Sequence, residues 1–452
     1  MIRRSLALAL AAALTPLAAN ATDLMQVYEM ARNGDPQLSA AESNRLYTRE
    51  GQVQARAALL PSINGQATLE RTRTSLEGIS GSTTGTQRRY GVSADQTLFN
   101  WSQFANLRAQ RDLGKAADFT LDSANDELVV RTATTYFNVL VAIESLGAAQ
   151  TNEAAAKKQF DYADKRLEVG LAPITDVHEA RAQYDQARAD TILARNALED
   201  AYQALTELTG QPVRDVHGLP EDFRPELPAN RANVDQLVSD AIARNPALKA
   251  QELKVSAADS SVSAARGGHY PTLSLGGSWG KGASWGDSVG SSSSGPDATT
   301  NSIGLTLNVP IFSGGATQSY VRQALAQRDM AQDGYEQQKR ALDRNTRNAY
   351  QTLVAGISEV EARRLAVVSA QSAYDASQVG LEVGTRTVLD VVQNQRTLFQ
   401  AQLNYAQSRY SFLLSRLQLS QAVGDLEINE VQDINRLLTQ NAEARLQTGK
   451  AP

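Results

Sequence analysis

The chain has 452 residues, no cysteine and a formal net charge of −5 at pH 7, and 42% of its residues are hydrophobic. This mildly acidic balance argues against nucleic acid as a partner. The absence of cysteine excludes disulfide bonds, thiolate metal sites and lipid attachment at an N-terminal cysteine. Aromatic residues make up only 6% of the chain, a composition that favours long, thin helical packing over a thick globular core.

The first 21 residues have the pattern of a secretory signal peptide. They contain two arginines, an apolar run over residues 6–17 and small residues at positions 19 and 21, in the order that signal peptides follow. We expect residues 1–21 to be removed by cleavage after Ala21, so that the mature chain begins at Thr22. The alternative, a membrane anchor, is disfavoured because the apolar run is shorter than the about 20 residues that span a bilayer.

The remainder of the chain repeats itself. A shift of 210 positions places Pro36 on Pro246, and a shift of 214 places LEVG at 167–170 on LEVG at 381–384. Ordered self-similarity of this length indicates two copies of one structural unit. The predicted domains are repeat 1 over 22–210, a connecting segment over 211–234, repeat 2 over 235–424, and a C-terminal segment over 425–452 whose tail is expected to be disordered.

Each repeat contains two segments in which apolar and polar residues alternate. Leu305, Leu307 and Val309, for example, alternate with Thr306 and Asn308. A period of two predicts strands with one apolar face, and the Ser/Gly-rich segment between the members of each pair predicts a hairpin loop. The predicted strands cover about 61–71, 88–99, 271–282 and 301–312.

A long segment without proline follows the strands of each repeat. Its apolar residues recur at steps of three and four, as at Tyr136, Leu140 and Ile143, which predicts a helix long enough for a coiled coil. Each long helix stops at a glycine, and a second helix returns. The predicted helical hairpins cover about 102–208 with a tip at 169–176, and about 318–422 with a tip at 383–390.

Four amphipathic strands in an exported chain need an apolar surrounding for their outer faces. A soluble sandwich core is one possibility; we favour a closed barrel in the outer membrane, because open sheet edges are not tolerated in lipid. Two chains would give eight strands and a filled interior, whereas three give twelve and leave a lumen. The expected fold class is mixed α and β: an outer-membrane β-barrel, with four strands per chain and twelve in the trimer, continued by a long periplasmic α-helical coiled-coil barrel.

Several segments resemble the outer-membrane efflux protein family, and the resemblance covers nearly all of the chain after residue 21. It is carried by VGLAPITDVHEARAQYD at 169–185, GGHYPTLSL at 267–275, LNVPIFSGG at 307–315, VVSAQSAYDA at 367–376 and VGTRTVLDV at 383–391. The resemblance implies a homotrimeric channel in contact with outer-membrane lipid. It also implies docking through a periplasmic adaptor (membrane fusion) protein to an inner-membrane transporter, for multidrug efflux, type I protein secretion or both.

The resemblance implies adaptor docking at the two tips. The tip motif that adaptor hairpins recognise in this family matches Val169, Gly170, Leu171, Val383, Gly384 and Thr385. The alternative is that the two glycines only end their helices, since a left-handed glycine is a common helix terminator. We favour docking in addition to capping.

The resemblance further implies a gate. Polar links between the tips hold the resting channel closed in this family, and the matching gate positions are Thr175, Asp176, Arg386 and Asp390. Leu381 replaces a family tyrosine, so that one link is missing or altered. Asp390 and Gln393 match positions that line the pore near the tip, where three symmetry-related carboxylates would favour cations. The alternative is a local pair between Arg386 and Asp390 on one helix.

The residues form no recognisable catalytic constellation. His178, His217 and His269 lie far apart in the sequence, without metal-ligand spacing. Neither Ser/Gly-rich segment is followed by the Lys-Ser/Thr of a phosphate-binding loop. We therefore expect no enzyme activity, no cofactor and no metal. The alternative function is a periplasmic coiled-coil adaptor or scaffold protein, which would not need four alternating strands.

Overall fold

The computed structural model describes residues 22–75, 82–171, 173–220, 222–227, 233–288, 291–294, 297–444 and 446. The predicted signal peptide, residues 1–21, lies outside these described residues, as does the end of the predicted disordered tail, 447–452. No helix in the described part of the chain is both long and apolar enough to cross a bilayer.

The elements fall into two compact units. The helices are α1 Leu24–Gly34, α2 Pro36–Ala57, α3 Trp101–Glu168, α4 Ile174–Thr209, α5 Val234–Arg244, α6 Pro246–Arg266, α7 Ala316–Glu382, α8 Val388–Val423 and α9 Ile428–Leu437, with a 3₁₀ turn at Gly267–His269. The strands are β1 Ser62–Ser75, β2 Ser82–Phe99, β3 His217–Gly218, β4 Thr272–Ser288, β5 Ser291–Ser294, β6 Ala298–Asn308 and β7 Gln440–Asn441. The sheet unit comprises 42–121 and 247–338, and the helical unit comprises the described residues of 1–41, 122–246 and 339–452.

The core of the helical unit is built from apolar stripes on α3, α4 and α8. Its fully buried side chains include Leu128, Tyr136, Leu140, Ile143, Tyr202, Leu205, Leu413 and Leu417. Their spacing places them on one face of each helix. The hydroxyl of Tyr136 donates a hydrogen bond to the carbonyl of His217 across 2.7 Å, because a buried phenol needs a partner.

A buried ion pair ties α3, the connecting segment and α8 together. The guanidinium of Arg409 is only 3% exposed, and it lies 3.3 Å from the carboxylate of Glu144. The same guanidinium donates to the carbonyl of Pro220 across 3.1 Å. Arg195, which occupies the matching position in the first predicted repeat, is exposed, so this pair distinguishes the two repeats.

The connecting and C-terminal segments pair with each other. β3 and β7 form a small antiparallel sheet in which His217 lies opposite Asn441. Before it, α9 buries Val431 and Ile434. The expected disorder therefore does not extend over 428–441, and strands of two residues are too short to show a period in the sequence.

The sheet unit contains an antiparallel sheet in the order β1-β2-β4-β6, with β5 paired to the far end of β4. One row across this sheet runs through Ile63, Ala94, Gly277 and Ile303. All four long strands connect to helices at one end, and β1–β2 and β4–β6 are joined at the other end. β1 and β6 are the outer strands of this order.

The pairing places residues of like polarity on the same face, as the alternation predicts. The apolar face carries Ile63, Leu69, Val92, Leu275, Trp279, Ile303, Leu305 and Leu307. The polar face carries Asn64, Gln66, Thr68, Ser93, Ser278, Ser302 and Thr306. Such a sheet can face lipid on one side and water on the other.

The strands differ in length from the prediction. β1 continues to Ser75 rather than ending near residue 71, β2 begins at Ser82 rather than near residue 88, and β4 continues to Ser288 rather than ending near residue 282. Backbone ladder hydrogen bonds form along these added residues without any apolar alternation. β6 ends at Asn308 rather than near residue 312, because Pro310 has no N–H to donate to a ladder. In the helical hairpins, α3 begins at Trp101 and α4 ends at Thr209, while α7 begins at Ala316 and α8 ends at Val423.

The element order is the same in the two predicted repeats. α1 and α2 precede β1, β2 and the hairpin of α3 and α4, and α5 and α6 precede β4, β6 and the hairpin of α7 and α8. The repeat boundaries themselves remain a prediction.

Candidate functional site at the hairpin tips

The first tip, residues 169–176, begins with a complete helix cap. Gly170 has a left-handed backbone with φ of 70°. Its N–H donates to the carbonyl of Leu167 across 2.9 Å, and the N–H of Leu171 donates to the carbonyl of Arg166 across 2.8 Å. This pair of bonds is the Schellman motif, which satisfies the last carbonyls of a helix.

The second tip, residues 383–390, has the same cap. Gly384 has φ of 78°, and its N–H donates to the carbonyl of Leu381 across 3.2 Å. The N–H of Thr385 donates to the carbonyl of Gly380 across 2.8 Å. The repeated LEVG sequence therefore produces the same turn twice, and Leu381, at the position of a family tyrosine, contributes its carbonyl to this turn.

The glycines are required by backbone conformation rather than by space. A Cβ added to Gly170 or to Gly384 would meet no atom within 4 Å. Residues with a Cβ rarely adopt this left-handed conformation, and β-branched residues adopt it least. A substitution that tolerates the left-handed backbone therefore changes only the surface of the tip, whereas one that does not also disturbs the turn.

The returning helices begin differently in the two tips. Asp176 and Asp390 are each the third residue of their helix, α4 and α8. Thr387 and Asp390 form a capping box, whereas Pro173 at the corresponding start of α4 makes no side-chain cap. Asp176 therefore lacks the reciprocal partner that Asp390 has.

The capping box shifts the titration of Asp390. Hydrogen bonds from the backbone N–H and then the hydroxyl of Thr387 lower the pKa of the Asp390 carboxyl below its ordinary value, and the charge of Arg386 lowers it further. Among the described residues no ion pair within 4 Å joins Arg386 to Asp390. The local Arg386–Asp390 pair, weighed as an alternative to the gate, is not formed as a direct contact in the single chain.

The remaining residues of the predicted gate lie at the surface of the tips. Thr175 is exposed, and its hydroxyl lies 3.4 Å from the carboxylate of Asp176. The N–H of Arg386 donates to the carbonyl of Gly380 across 3.1 Å, which fixes the backbone from which its side chain extends. Gln393 is exposed one turn after Asp390. No direct contact between the two tips through these residues is recorded in the described part of the chain.

Aliphatic side chains are exposed at both tips. The exposed fractions of Val169, Leu171 and Val383 are 67%, 67% and 68%. Ile174 and Leu389 at the starts of the returning helices are also exposed, and the sequence analysis did not select them. The sequence pattern that could have identified them is an aliphatic residue at the first or second position of a helix, outside the apolar stripe.

A polar contact that sequence reasoning missed joins the two hairpins behind the tips. The buried amide of Gln395 on α8 donates to the side-chain oxygen of Asn152 on α3 across 2.9 Å. Near it, Arg396 donates to the side chain of Gln183 on α4 across 2.5 Å. Both contacts join residues far apart in sequence, so no local spacing could have predicted them.

Known proteins resemble this chain along most of its length. The family model described as outer membrane efflux protein matches residues 27–211 and 237–425. The chain is 33% identical to outer membrane protein TolC of Vibrio cholerae over 415 residues, which cover 92% of this chain and 93% of that protein. It is 27% identical to alkaline protease secretion protein AprF of Pseudomonas aeruginosa over 427 residues, which cover 90% of this chain and 85% of that protein.

The fold is similar to that of solved outer-membrane channels. The match to the Campylobacter jejuni CmeC outer membrane channel has a TM-score of 0.75 at 19% identity, and it covers 92% of this chain and 90% of that chain. The element order, the amphipathic sheet and the sequence relatives all indicate the same family of channels. The chain belongs to the outer membrane efflux protein family, and it is an outer-membrane efflux channel that is mostly helical with a small sheet.

Proposed function

We propose that this channel is a homotrimer that exports substrates across the periplasm and outer membrane when an adaptor protein links its tips to an inner-membrane transporter. The observation that carries the proposal is the position of β1 and β6 at opposite edges of an amphipathic sheet. The proposal includes no catalytic step, cofactor or metal. In the described part of the chain, no three His, Cys, Asp or Glu side chains are grouped so as to hold a metal ion.

The two edge strands are suited to pairing between chains. β1 and β6 run in opposite directions, because each of the three pairings that connect them is antiparallel. β6 of one chain can therefore pair with β1 of the next in the same pattern. An open edge would leave N–H and C=O groups unsatisfied in lipid, so closure through further copies stabilises both edges.

A barrel with an open lumen needs more than two chains. Two chains would supply eight of these strands, and the interior of such a barrel is filled by side chains. Three chains supply twelve strands, an even antiparallel number that is typical of outer-membrane barrels. The polar face, with Asn64, Gln66 and Ser278, would then line a water-filled passage.

The tips are suited to adaptor docking. Val169, Leu171 and Val383 present aliphatic side chains on turns whose backbone is held by the caps of Gly170 and Gly384. Clustered exposed apolar residues are a common sign of a protein contact. Because the caps fix the turns before binding, little backbone entropy would be lost on docking.

The gate belongs to the same tips. Thr175 and Arg386 are exposed and Asp176 is half-buried, so that neighbouring tips of a trimer can link through them. Because Asp390 is engaged with Thr387, we assign Asp176 as the carboxylate that pairs with Arg386. Asp390 then acts as a ring of three carboxylates that favours cations, with Gln393 as an uncharged ring one turn further.

The export cargo is assigned by likeness. Membership of an efflux family supports the export of small toxic compounds. The likeness to a protein named for the secretion of an alkaline protease supports the export of proteins as well. One channel can serve both uses if different adaptors and transporters dock on the same tips.

Complementation of a deletion strain tests the proposal. Cells that lack the chain should accumulate a fluorescent efflux dye, and the wild-type chain should restore its export. A Val169→Asp/Val383→Asp variant should form trimers in the outer membrane but fail to restore export. The matched control is Ile192→Asp, a similarly exposed aliphatic position on α4 outside the tip. Full export by the tip variant would contradict adaptor docking at these residues.

A further inference from the structure

The apolar face of the sheet ends in a group of cations. Towards the end of the sheet that is remote from the helices, this face carries Arg71, Arg73, Arg88 and Lys281, which we name the cationic collar. Among the described residues, Asp297, which directly precedes β6, contacts two members of the collar. The register also places Asp287 on this face, in the row of Arg73 and Thr84. Four cations and two acids give this region of the face a net positive charge.

The centre of the collar is ordered by specific contacts. The carboxylate of Asp297 lies 3.0 Å from the ammonium of Lys281 and 3.4 Å from the guanidinium of Arg88. The guanidinium carbon of Arg88 lies 5.9 Å from the ring centroid of Tyr90, and the rings of Tyr90 and Trp279 lie 6.2 Å apart. Two cations and two amphipathic aromatic rings therefore meet at one level of the sheet.

This level corresponds to the edge of a bilayer. Leu273 begins the apolar rows at the helix-linked end, and Lys281 follows it by eight positions on β4. Eight residues span about 27 Å of strand, which a tilt of about 40° reduces to about 20 Å of height, close to the apolar band of about 25 Å in outer-membrane barrels. Aromatic girdles mark the same boundary in such barrels.

The positive charge is confined to one face. The polar face at the same level carries Arg89 and Glu70, which have opposite signs. Arg89 adjoins Arg88 in the chain but lies on the other side of the sheet. The collar is therefore directed to the surroundings of the barrel and not to its passage.

We propose that the cationic collar binds the phosphate groups of phosphorylated glycolipid in the outer leaflet of the outer membrane. The inference rests on the proposed function, because the apolar face must contact lipid. Guanidinium groups bind phosphate oxygens in a bidentate manner, and lysine adds a point charge. Asp297 holds Arg88 and Lys281 together in the absence of lipid, and a phosphate competes with it for both cations.

Native mass spectrometry of the full-length protein tests this assignment. The protein is incubated in detergent with diphosphorylated lipid A, monophosphorylated lipid A or phosphatidylcholine. The detergent is then removed from the complexes in the mass spectrometer. We expect occupancy to follow the number of phosphates. We expect Arg88→Gln/Lys281→Gln to weaken binding of the diphosphorylated lipid by about 10- to 30-fold, as the loss of two cations near an anionic headgroup predicts. Arg89→Gln, the matched control on the opposite face, should bind as the wild type does.

Two further arms make the result decisive. Asp297→Asn should bind the diphosphorylated lipid more tightly, because the competing carboxylate charge is removed, whereas a collar that served only to hold the strands together would bind no more. Excess inorganic phosphate should not displace the lipid, since the apolar face holds its acyl chains. Equal occupancy by phosphatidylcholine, or equal losses in the Arg89→Gln and collar variants, would overturn the proposal. The same spectra give the number of chains, so a failure of the trimer is seen separately.

Discussion

Asp390 and Thr387 cap the start of α8 reciprocally. The N–H of Thr387 donates to the carboxylate of Asp390 across 2.9 Å, and the N–H of Asp390 donates to the hydroxyl of Thr387 across 3.2 Å. The folded state lowers the pKa of Asp390, so the capping contribution is present above the ordinary carboxyl pKa and is lost as the pH falls through the lower, folded value. The residue assigned to the pore ring is therefore also a structural residue of the second tip.

Separate substitutions distinguish the cap from the ring. Thr387→Ala removes the cap hydroxyl and keeps the carboxylate, so it should lower the free energy of unfolding by about 0.5–2 kcal/mol while leaving cation preference unchanged. Asp390→Asn keeps a side-chain acceptor and removes the charge, so it should reduce cation preference in planar-bilayer recordings. Equal changes of selectivity in the two variants would mean that the charge of Asp390 does not select ions.

Substitution of the tip glycines separates backbone from surface. Asparagine tolerates the left-handed conformation and valine does not. We expect Gly384→Asn to keep the thermal midpoint and trimer yield of the wild type but to reduce crosslinking to the adaptor, because a side chain is added at the proposed docking surface. Gly384→Val should lower both stability and crosslinking. If Gly384→Asn crosslinks to the adaptor as the wild type does, the glycine is a cap alone.

Arg409 is expected to be among the most sensitive charged positions of the helical unit. Arg409→Ala would remove the guanidinium that contacts Glu144 and that donates to the carbonyl of Pro220. Breaking a buried pair from one side costs about 3–5 kcal/mol, which should appear as a large loss in chemical unfolding. The matched control is Arg195→Ala, the exposed counterpart in the first predicted repeat, which should change stability little. A comparable loss in both variants would contradict the assigned role of the pair.

Asp126 should make stability depend on pH. Burial, and secondly the charge of Asp122, raise the pKa of Asp126 from 3.8 to about 7. Between these two values the unfolded chain has released the proton and the folded chain still holds it, so this residue lowers stability as the pH rises from 3.8 to about 7. Asp126→Asn should therefore raise the thermal midpoint at pH 8 and change it little at pH 4. A gain of the same size at both values would mean that the carboxyl does not titrate in this range.

Periodicity in the sequence predicted the helices, strands and turns, which depend on neighbouring residues. Strand lengths and strand pairing depend on contacts between distant residues, which periodicity does not predict. The steps at Tyr136, Leu140 and Ile143 and the stop at Gly170 define a helical hairpin because each signal acts within a few residues. The lengths of β2 and β6 were mispredicted where hydroxyl residues extended a ladder or Pro310 ended one. The pairing of β3 with β7 could not be predicted, because it joins residues more than 200 positions apart.

In the candidate site, too, local features could be predicted from the sequence and long-range contacts could not. The positions of both tips and their glycines came from a repeated motif. The family likeness assigned Asp390 to the pore, whereas the capping box with Thr387 was present in the sequence as a threonine three residues before an acid. The contact between Gln395 and Asn152 joins two hairpins, and only the folded chain brings these residues together.

The central claim is that chains close a barrel through β1 and β6, and disulfide crosslinking tests it most directly because the chain has no cysteine of its own. Asn64→Cys on β1 is combined in turn with cysteine at Thr300, Ser302 or Thr306 on β6, all on the polar face. The control combines Asn64→Cys with Ser93→Cys, a pair that faces each other within one chain. We predict that at least one β1–β6 combination gives a covalent trimer from outer membranes, while the control links within the monomer. Products no larger than a dimer, or no link between chains in any combination while the control forms its bond, would contradict the account.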